Sequence, residues 1–383
     1  MTFDFIIVGA GSAGCVLANR LSEIKKWKVL LLEAGIEEPF FADVPGLAPL
    51  VSRSNIDWNY MTEPEPHACK ARPGGRCYWA RGKVMGGSST TNYMIYTRGN
   101  QEDYDEWEEM GNEGWGYDEV LEYFKKSEDN EDKEIYKKNP EYHGKGGYQT
   151  VEWLPYADQN LPVLIQAWRE KGYPERDLNA ENQIGVMHLQ TTTRHGERLS
   201  TNGAFIRPIR KKRKNLTIIT EAHVTRVIFE KRSKSGRSSS IEFLHEKKLR
   251  LATAKKEVIL SAGSINSPKI LMLSGIGPKE HLESLGIKPL IDLKVGHNLQ
   301  DHLTTDGIVI ALPKTSTDKM YKKKVKDAFE YKESRCGPLA STGPLQCGVF
   351  AKTKLADSGP DVPDIQFHHD PSSLRDWLIN RCV

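Results

Sequence analysis

The sequence has few of the features that mark membrane-spanning, metal-binding or nucleic-acid-binding proteins. Its uncharged stretch near the N-terminus, residues 5–19, is too short to span a bilayer and lacks the basic flank of a signal peptide. None of its six cysteines is spaced with histidine as in a zinc site. A net charge of +3 over 383 residues gives no argument for nucleic acid or an anionic membrane. We therefore expect no membrane span, no metal site and no nucleic-acid partner.

The length and composition are those of a folded protein with more than one domain. A chain of 383 residues exceeds what one small core requires, and 38% apolar with 27% charged residues is typical of globular proteins. No internal repeat or long low-complexity segment interrupts it. Two domains are the natural expectation.

A glycine-rich turn near the N-terminus is the motif on which the fold prediction depends. Residues 3–8 predict a buried parallel strand, residues 15–21 a helix and residues 28–32 a second strand. The turn at residues 9–14 reads Gly-Ala-Gly-Ser-Ala-Gly, and Glu33 follows the second strand. Such a βαβ unit binds a dinucleotide, with the pyrophosphate at the helix N-terminus and the ribose at the acid. The motif alone does not choose between FAD and NAD.

A second glycine-rich segment, residues 79–92, follows a long proline-containing loop at residues 36–72. Gly86 and Gly87 permit close approach of a ligand to the backbone, and hydroxyl side chains and Asn92 supply hydrogen-bonding groups. Such a loop suits the wall of a site for a large planar cofactor, and the alternative is an ordinary surface loop. Two loops of this kind in one domain favour the cofactor site.

The remaining pattern predicts helices and strands in alternation. The predicted helices are at residues 103–110, 117–126, 161–171, 198–206, 265–273 and 319–331. The predicted strands are at residues 146–151, 216–230, 241–251, 257–263, 307–312 and 364–368. The polar stretch at residues 127–143 predicts an exposed excursion. The basic run at residues 210–214 predicts a solvated helix end, because no aromatic residue interleaves it.

Three groups of side chains have roles that the sequence leaves open. Cys69 and Cys77 flank a loop that a disulfide could close, and the alternative is two ordinary thiols. Residues 215–217 form an Asn-Leu-Thr sequon, which matters only in a secreted protein. His368 and His369 are adjacent on a predicted strand, so their side chains point to opposite faces, which argues against a shared metal or catalytic role.

Four motifs together resemble the glucose–methanol–choline (GMC) oxidoreductases, which are FAD-dependent. They are the turn with its acid (residues 9–33), the second glycine-rich segment (81–92), the Gly-Ser-Ile-Asn-Ser-Pro segment (263–277) and the Val-Gly-His-Asn-Leu-Gln-Asp-His segment (295–302). The residues that follow the second motif (93–107) are most similar to insect glucose dehydrogenase-like members of the family.

The resemblance implies an α/β fold in which an FAD-binding, Rossmann-like domain of the GMC type is joined to an α+β substrate domain. It assigns residues 1–150 and 196–302 to a discontinuous FAD-binding domain, and residues 151–195 and 303–383 to the substrate-binding domain. The family's C-terminal portion, which carries a catalytic histidine and its His or Asn partner, has no match in this sequence. We therefore expect a C-terminally truncated chain with an incomplete substrate domain, and the catalytic residues stay unknown.

The resemblance also implies a set of cofactor-binding residues. These are Gly9, Gly11, Ser12, Ala13, Gly14, Glu33, Ala34, Arg81, Val84, Gly87, Asn92, Val224 and Ala262. The family pattern places the pyrophosphate at residues 9–14, the adenosine ribose at Glu33, the adenine at the backbone of Val224 and the adenosine end near Ala262. Thr91 occupies the position at which some members attach FAD through histidine, so non-covalent FAD is expected.

The activity implied by the resemblance is oxidation of a CH–OH group in an alcohol or sugar. A base takes the hydroxyl proton, a hydride passes to flavin N5, and a quinone or another acceptor takes the electrons. Two alternatives stay open: a truncated flavin-binding or interaction protein without turnover, and an NAD-dependent dehydrogenase. The insect members are generally secreted, so an extracellular location is expected although this chain has no signal peptide. A cytoplasmic location is expected if Met1 is the native N-terminus.

Overall fold

The computed structural model describes residues 1–229, 239–305, 321–357, 359 and 361–370. The strands in these residues are β1 (Thr2–Val8), β2 (Val29–Leu32), β3 (Tyr60–Met61), β4 (Tyr78–Trp79), β5 (Glu128–Asn130), β6 (Gln149–Val151), β7 (Gly185–His188), β8 (Thr193–Arg194), β9 (Glu197–Arg198), β10 (Leu216–Ile219), β11 (His223–Phe229), β12 (Ser239–His245), β13 (Lys248–Leu260), β14 (Ile276–Gly277), β15 (Ile291–Asp292), β16 (Cys347–Ala351) and β17 (Ile365–His368).

The α-helices in the described residues are α1 (Ser12–Ser22), α2 (Ala48–Val51), α3 (Gln101–Glu109), α4 (Tyr117–Ser127), α5 (Lys133–Lys138), α6 (Leu161–Glu170), α7 (Gly263–Leu273), α8 (Lys279–Ser284) and α9 (Tyr321–Ser334). The helix predicted at residues 198–206 is a π-helix, Asn202–Ile206. The strand predicted at residues 307–312 lies outside the described residues. No helix of the described part combines the length and apolar content needed to cross a membrane.

The chain divides into two compact units. The first comprises residues 1–39, 50–91 and 200–308, and the second comprises residues 40–49, 92–199 and 309–383. This division groups residues 92–150 with the second unit, whereas the division made from the sequence places them in the FAD-binding domain. The assignment of the two domains to cofactor and substrate stays a prediction.

The first unit is built on a six-stranded sheet in the order β10-β2-β1-β13-β12-β11. Strands β10, β2, β1 and β13 are parallel, with Ile6 opposite both Leu30 and Val258, and β12 and β11 extend the sheet antiparallel. Strand β2 is buried along its length and β1 is buried over residues 5–8, which explains their apolar runs. The βαβ unit predicted from the N-terminal sequence is confirmed.

Two strand predictions in this sheet were wrong in their boundaries. The one strand predicted at residues 216–230 is two strands, β10 and β11, because β10 pairs parallel with β2 whereas β11 pairs antiparallel with β12. The second hairpin turns at Glu246 and Lys247, both with positive φ, so residues 248–260 form one continuous strand. A two-residue turn of this kind usually contains Asn-Gly or Asp-Gly, so Glu-Lys is not a recognisable turn signal.

The second unit contains a three-stranded sheet in the order β17-β16-β7. Helix α6 packs on it through Leu161 and Ile165, which meet Val186 and Val349 in a buried cluster. The helices predicted at residues 103–110, 117–126 and 161–171 correspond to α3, α4 and α6.

The exposed excursion predicted at residues 127–143 was only partly right, because α5 exposes Lys133, Lys137 and Lys138 whereas Glu128 and His143 are buried. Glu128 and His143 are fully buried there, and the Glu128 carboxylate accepts a hydrogen bond from Arg98 at 2.8 Å. His143 Nδ1 lies 3.0 Å from Glu128 and its Nε2 lies 2.7 Å from Asp177. Since opposite charges are paired, a polar sequence is compatible with burial.

Several side chains whose roles the sequence left open have defined partners. Cys69 and Cys77 form a disulfide. His369 Nε2 accepts a hydrogen bond from Trp168 Nε1 at 3.2 Å while its Nδ1 lies 3.0 Å from the Cys347 carbonyl oxygen. Both ring nitrogens of His369 are therefore engaged in packing the second unit. No group of three or more potential metal ligands occurs among the residues that the structure describes.

Candidate functional site

A cavity of about 470 Å³ opens in the first unit where its parallel strands end. Gly9 follows β1, Glu33 follows β2 and Ser261 follows β13, and all three line it. Open α/β sheets bind ligands at this carboxyl edge, and cofactor cavities are commonly about 300–1,000 Å³ in volume. The position and size of the cavity therefore suit a nucleotide cofactor.

Close backbone packing shapes the floor of the cavity. A Cβ atom at Gly14 would lie 1.9 Å from the Gly9 carbonyl oxygen, so only glycine lets α1 sit this close to the turn. Gly87, with φ of +55°, would place a Cβ 2.7 Å from the Gly11 Cα. The two glycine-rich loops predicted from the sequence are thus packed against each other, backbone on backbone.

Two helices begin at the cavity without a side-chain cap. The N-cap of α1 is Gly11 and that of α7 is Ala262, and neither accepts a hydrogen bond through a side chain. Ser12 and Gly263, in the first turns, line the cavity. Uncapped helix N-termini present backbone N–H groups and a partial positive charge, so the site fits an anionic pyrophosphate.

Glu33 forms a buried acidic end of the same cavity. Its side chain lies at the end of β2 and the residue is 6% exposed. Oε2 accepts a hydrogen bond from the Ala10 N–H at 2.9 Å, and Oε1 accepts one from the Gly35 N–H at 2.8 Å. Burial raises the pKa of Glu33 to about 7, against the opposing effect of these backbone donors. Each oxygen keeps a further lone pair, which suits the hydroxyl groups of a ribose.

Most of the residues that the family pattern assigns to the cofactor come together around this cavity. Those that line it are Gly9, Gly11, Ser12, Ala13, Glu33, Ala34, Arg81, Gly87, Val224 and Ala262. Gly14 packs beneath the turn, and Val84 is fully buried, so neither is among the lining residues. Asn92 belongs to the second unit, where its Oδ1 accepts hydrogen bonds from Arg198 Nη1 at 2.8 Å and from the Met94 N–H at 3.0 Å.

An aromatic and basic cluster in the cavity wall was not predicted from the sequence. The rings of Trp58 and Tyr60 are stacked with centroids 5.7 Å apart, and His223 lies 5.8 Å from Trp58. Lys83 places its ammonium 4.8 Å from the centre of the Trp58 ring. Trp58 and Tyr60 are two residues apart, but Asn59 between them has a φ of +54°, so strand alternation does not predict their stacking.

The electrostatics of this cluster favour a neutral imidazole. Burial lowers the pKa of His223, and the nearby charges of Lys269 and Lys83 lower it further. Tyr60 donates a hydrogen bond to Asn266 Oδ1 at 2.6 Å, which fixes its ring against α7. The cluster thus offers aromatic faces and cationic side chains for a planar, anionic ligand.

A second buried carboxylate, Glu38, joins the second glycine-rich loop to the π-helix. Its side chain is 1% exposed, and its Oε2 accepts hydrogen bonds from Ser200 at 2.9 Å and Asn202 at 3.0 Å. Arg207 lies 2.8 Å from the same oxygen, and Thr90 of the loop donates to Oε1 at 3.3 Å. Glu38 therefore holds the loop that packs on the pyrophosphate turn.

The geometry defines an α/β nucleotide-binding site of the βαβ type, and comparison with known proteins narrows the class. The family model of the GMC oxidoreductases matches residues 3–304. The chain is 42% identical over 375 residues to glucose dehydrogenase [FAD, quinone] of Drosophila melanogaster, covering 96% of this chain and 57% of the relative. It is 39% identical to alcohol dehydrogenase [acceptor] of Pseudomonas putida, covering 98% of this chain and 66% of the relative.

Solved structures show the same fold. The crystal structure of pyridoxine 4-oxidase from Mesorbium loti matches with a TM-score of 0.68 and 34% identity, covering 76% of this chain and 55% of that chain. The chain belongs to the GMC oxidoreductase family. It spans just over half the length of the glucose dehydrogenase that it matches.

Proposed function

We propose that the chain binds FAD non-covalently in the cavity of the first unit and that the protein oxidises a CH–OH group of a small alcohol or sugar. One observation supports the proposal above the others. The uncapped N-termini of α1 and α7 and the buried Glu33 carboxylate open on one cavity at the carboxyl edge of a parallel sheet. These groups match the pyrophosphate and the ribose of a dinucleotide.

Different residues of the cavity would bind different parts of FAD. The first turn of α1, with Gly11, Ser12 and Ala13, would hold the pyrophosphate through backbone N–H groups. Glu33 would accept hydrogen bonds from the adenosine ribose, and its negative charge disfavours a 2′-phosphate. Arg81 lines the cavity wall and would supply a cationic group to the phosphates. Thr91 has no nucleophilic ring nitrogen, which supports non-covalent attachment.

Bound FAD supplies the redox chemistry by accepting a hydride from the CH–OH carbon of the donor. The protein's contribution is to bind and orient the cofactor and to keep water from it. The names of the matched glucose and alcohol dehydrogenases support a sugar or alcohol donor, and a quinone is the electron acceptor that we propose on the same ground. The Cys69–Cys77 disulfide supports an extracellular location, because disulfides persist in oxidising compartments.

The test is to purify the 383-residue chain and record its visible absorbance before and after acid precipitation. We expect a flavin spectrum whose chromophore is released into the supernatant, as non-covalent FAD requires. Glucose and short alcohols are then added without oxygen, and bleaching of the bound flavin reports turnover by this chain. Folded protein that takes up no flavin when incubated with FAD would contradict the cofactor assignment.

The same experiment separates the alternatives that the sequence left open. Flavin that is bound but bleached by no donor supports a flavin-binding chain without turnover. Turnover that depends on nicotinamide in a protein without flavin supports an NAD-dependent dehydrogenase. Bleaching by one donor class and not by others identifies the substrate class.

A further inference from the structure

The edge of the first unit's sheet opposite the cavity carries a concentration of exposed lysines. Parallel strands β10, β2, β1 and β13 are in register there, with Leu216 opposite Val29 and Phe5 opposite both Val29 and Glu257. Eight exposed lysines lie on or beside the strands near this register, and we call them the lysine face. They are Lys25, Lys26, Lys28, Lys211, Lys212, Lys214, Lys255 and Lys256.

The lysines come from three distant segments, and contacts between these segments bring them together. Asn215 Nδ2 donates to the carbonyl oxygens of Trp27 at 2.9 Å and Ile24 at 3.3 Å, so the residues before β10 lie against the loop before β2. The Lys256 ammonium lies 5.9 Å from the centre of the Trp27 ring, which brings the β13 segment to the same loop. The fold thus assembles a basic surface that the run at residues 210–214 only partly indicated.

The positive charge of this surface is not balanced locally. Residues 20–28, 210–214 and 255–257, together with β1, carry eleven cationic side chains and three carboxylates, those of Asp4, Glu23 and Glu257. One of the eleven, Arg210, is paired with Glu37 outside these segments. Glu23 is already paired with Arg20 at 2.9 Å. In the described part of the chain, none of the eight lysines has a carboxylate within 4.0 Å. The whole chain carries only +3, so the charge is concentrated here.

We propose that the lysine face binds a linear sulfated polysaccharide. The lysines come from the loop before β2, the residues before β10 and strand β13, so several exposed ammonium groups are available together for the repeated sulfates of such a chain. Nucleic acid is disfavoured, because Trp27 is half-buried beneath Lys256 and offers no open face for base stacking. The Cys69–Cys77 disulfide indicates an oxidising compartment, where nucleic acid and the anionic cytoplasmic leaflet are absent.

This surface is separate from the cofactor cavity. Lys28 precedes β2 and Glu33 follows it, so the two lie at opposite ends of a strand, about 16 Å apart at 3.3 Å per residue. A polyanion on the lysine face would therefore leave the flavin site open. The proposal goes beyond the proposed activity and does not depend on turnover.

The test measures binding of heparin, as the sulfated probe, to the 383-residue chain at physiological salt and at two higher salt concentrations. We expect saturable binding that weakens steeply with salt, as counterion release requires. Substitution of Lys25, Lys26 and Lys28 by alanine should weaken binding about ten-fold or more, because three charge contacts are lost. Substitution of Lys211, Lys212 and Lys214 should do the same.

A matched control variant distinguishes heparin binding at the lysine face from nonspecific attraction to exposed lysines elsewhere. Substitution of Lys133, Lys137 and Lys138 by alanine removes three exposed lysines from α5 in the second unit and should change heparin affinity less than two-fold. The unfolding temperature and the FAD affinity of each variant should match those of the unsubstituted chain.

Three results would overturn the proposal. Absence of heparin binding at physiological salt would contradict the proposal. A loss confined to the 211–214 variant would show that a linear run, not the assembled face, carries the charge. Equal or tighter binding to duplex DNA, to phosphatidylserine vesicles or to desulfated heparin would assign the face to another polyanion or to none.

Discussion

Glu33 combines deep burial with a place in the wall of the cofactor cavity. Its pKa is raised to about 7 from the ordinary 4.5, mainly by burial. A raised acid pKa stabilises the fold fully below about 4.5, and this contribution is lost as the pH rises through 7. The contribution is about 3 kcal/mol by linkage. Burial in the cavity wall therefore disfavours ionisation of the Glu33 carboxyl group in the flavin-free protein.

Replacing Glu33 by glutamine should flatten the pH dependence of stability. We expect the flavin-free chain to lose unfolding free energy between pH 5 and pH 8, and Glu33→Gln to lose about 3 kcal/mol less over the same range. Urea unfolding of both proteins at the two pH values measures the difference. Parallel pH profiles for the two proteins would show that Glu33 titrates normally.

The same residue should couple FAD binding to pH. Ribose hydroxyls donate hydrogen bonds to a carboxylate, so FAD should bind the ionised form more tightly and its affinity should rise between pH 6 and pH 8. Glu33→Gln should bind about ten-fold more weakly at pH 8 and show little change with pH. Titration followed by flavin fluorescence at each pH tests this, and a wild-type affinity that falls with pH would contradict it.

Asn215 shows that a glycosylation sequon can be a structural residue. Its Nδ2 donates to the carbonyl oxygens of Ser22, Ile24 and Trp27, and so ties the start of β10 to the loop before β2. Asn215→Asp removes these donors and should lower the unfolding free energy by about 2 kcal/mol. Thr217→Val removes the sequon but keeps the amide, so it should leave stability within about 0.5 kcal/mol. Equal losses in both variants would mean that the amide is not the cause.

At the scale of elements, Glu38 determines where the second glycine-rich loop lies. Glu38→Gln removes the charge that Ser200, Asn202 and Arg207 share while keeping the side chain's shape. We expect FAD affinity to fall about ten-fold, because a charged hydrogen-bond acceptor holding the loop is lost. The control is Glu37→Gln, since Glu37 is a more exposed partner of Arg210 and should affect neither affinity nor stability. Similar affinities for the two variants would contradict the role given to Glu38.

The buried ion network around β5 should make the second unit sensitive to alkaline pH. Burial acts to lower the pKa of His143, but hydrogen bonds to Asp177 and Glu128 outweigh it and raise the pKa to about 9. The stabilisation is therefore complete below about 6.5 and is lost as the pH rises through 9. His143→Gln should be less stable at pH 7 by about 3 kcal/mol. It should also lack the decline between pH 7 and 10, which thermal unfolding across this range would detect.

At the scale of the whole molecule, local patterns predicted the part of the fold that binds the nucleotide. The apolar run, glycine turn, helix and acid of residues 3–33 form a local sequence pattern, so they can be read without the rest of the chain, although β1 and β2 also pair with the distant strands β13 and β10. The same holds for helices α3, α4 and α6, whose periodicity is local.

Features that depend on distant residues were missed. Glu128 and His143 are buried because Arg98 and Asp177 neutralise them, and no local pattern contains that information. The hairpin at Glu246 uses an unusual turn sequence, so its position was read incorrectly. The lysine face exists only after three segments meet at one edge of the sheet.

Gly11 offers the most direct test of the central claim, which is that FAD occupies the cavity of the first unit. A Cβ atom at Gly11 would meet only the Gly87 Cα, at 3.9 Å, so Gly11→Ala fits the empty protein while placing a methyl group in the cavity. The measurement is titration of the flavin-free wild-type chain and of Gly11→Ala with FAD, alongside urea unfolding of both.

We expect saturable FAD binding by the wild-type chain and at least ten-fold weaker binding by Gly11→Ala. The two flavin-free proteins should unfold within about 1 kcal/mol of each other, since only an N-cap glycine is changed. Equal FAD affinity in the two proteins, or no binding by the wild-type chain, would contradict the placement of the cofactor.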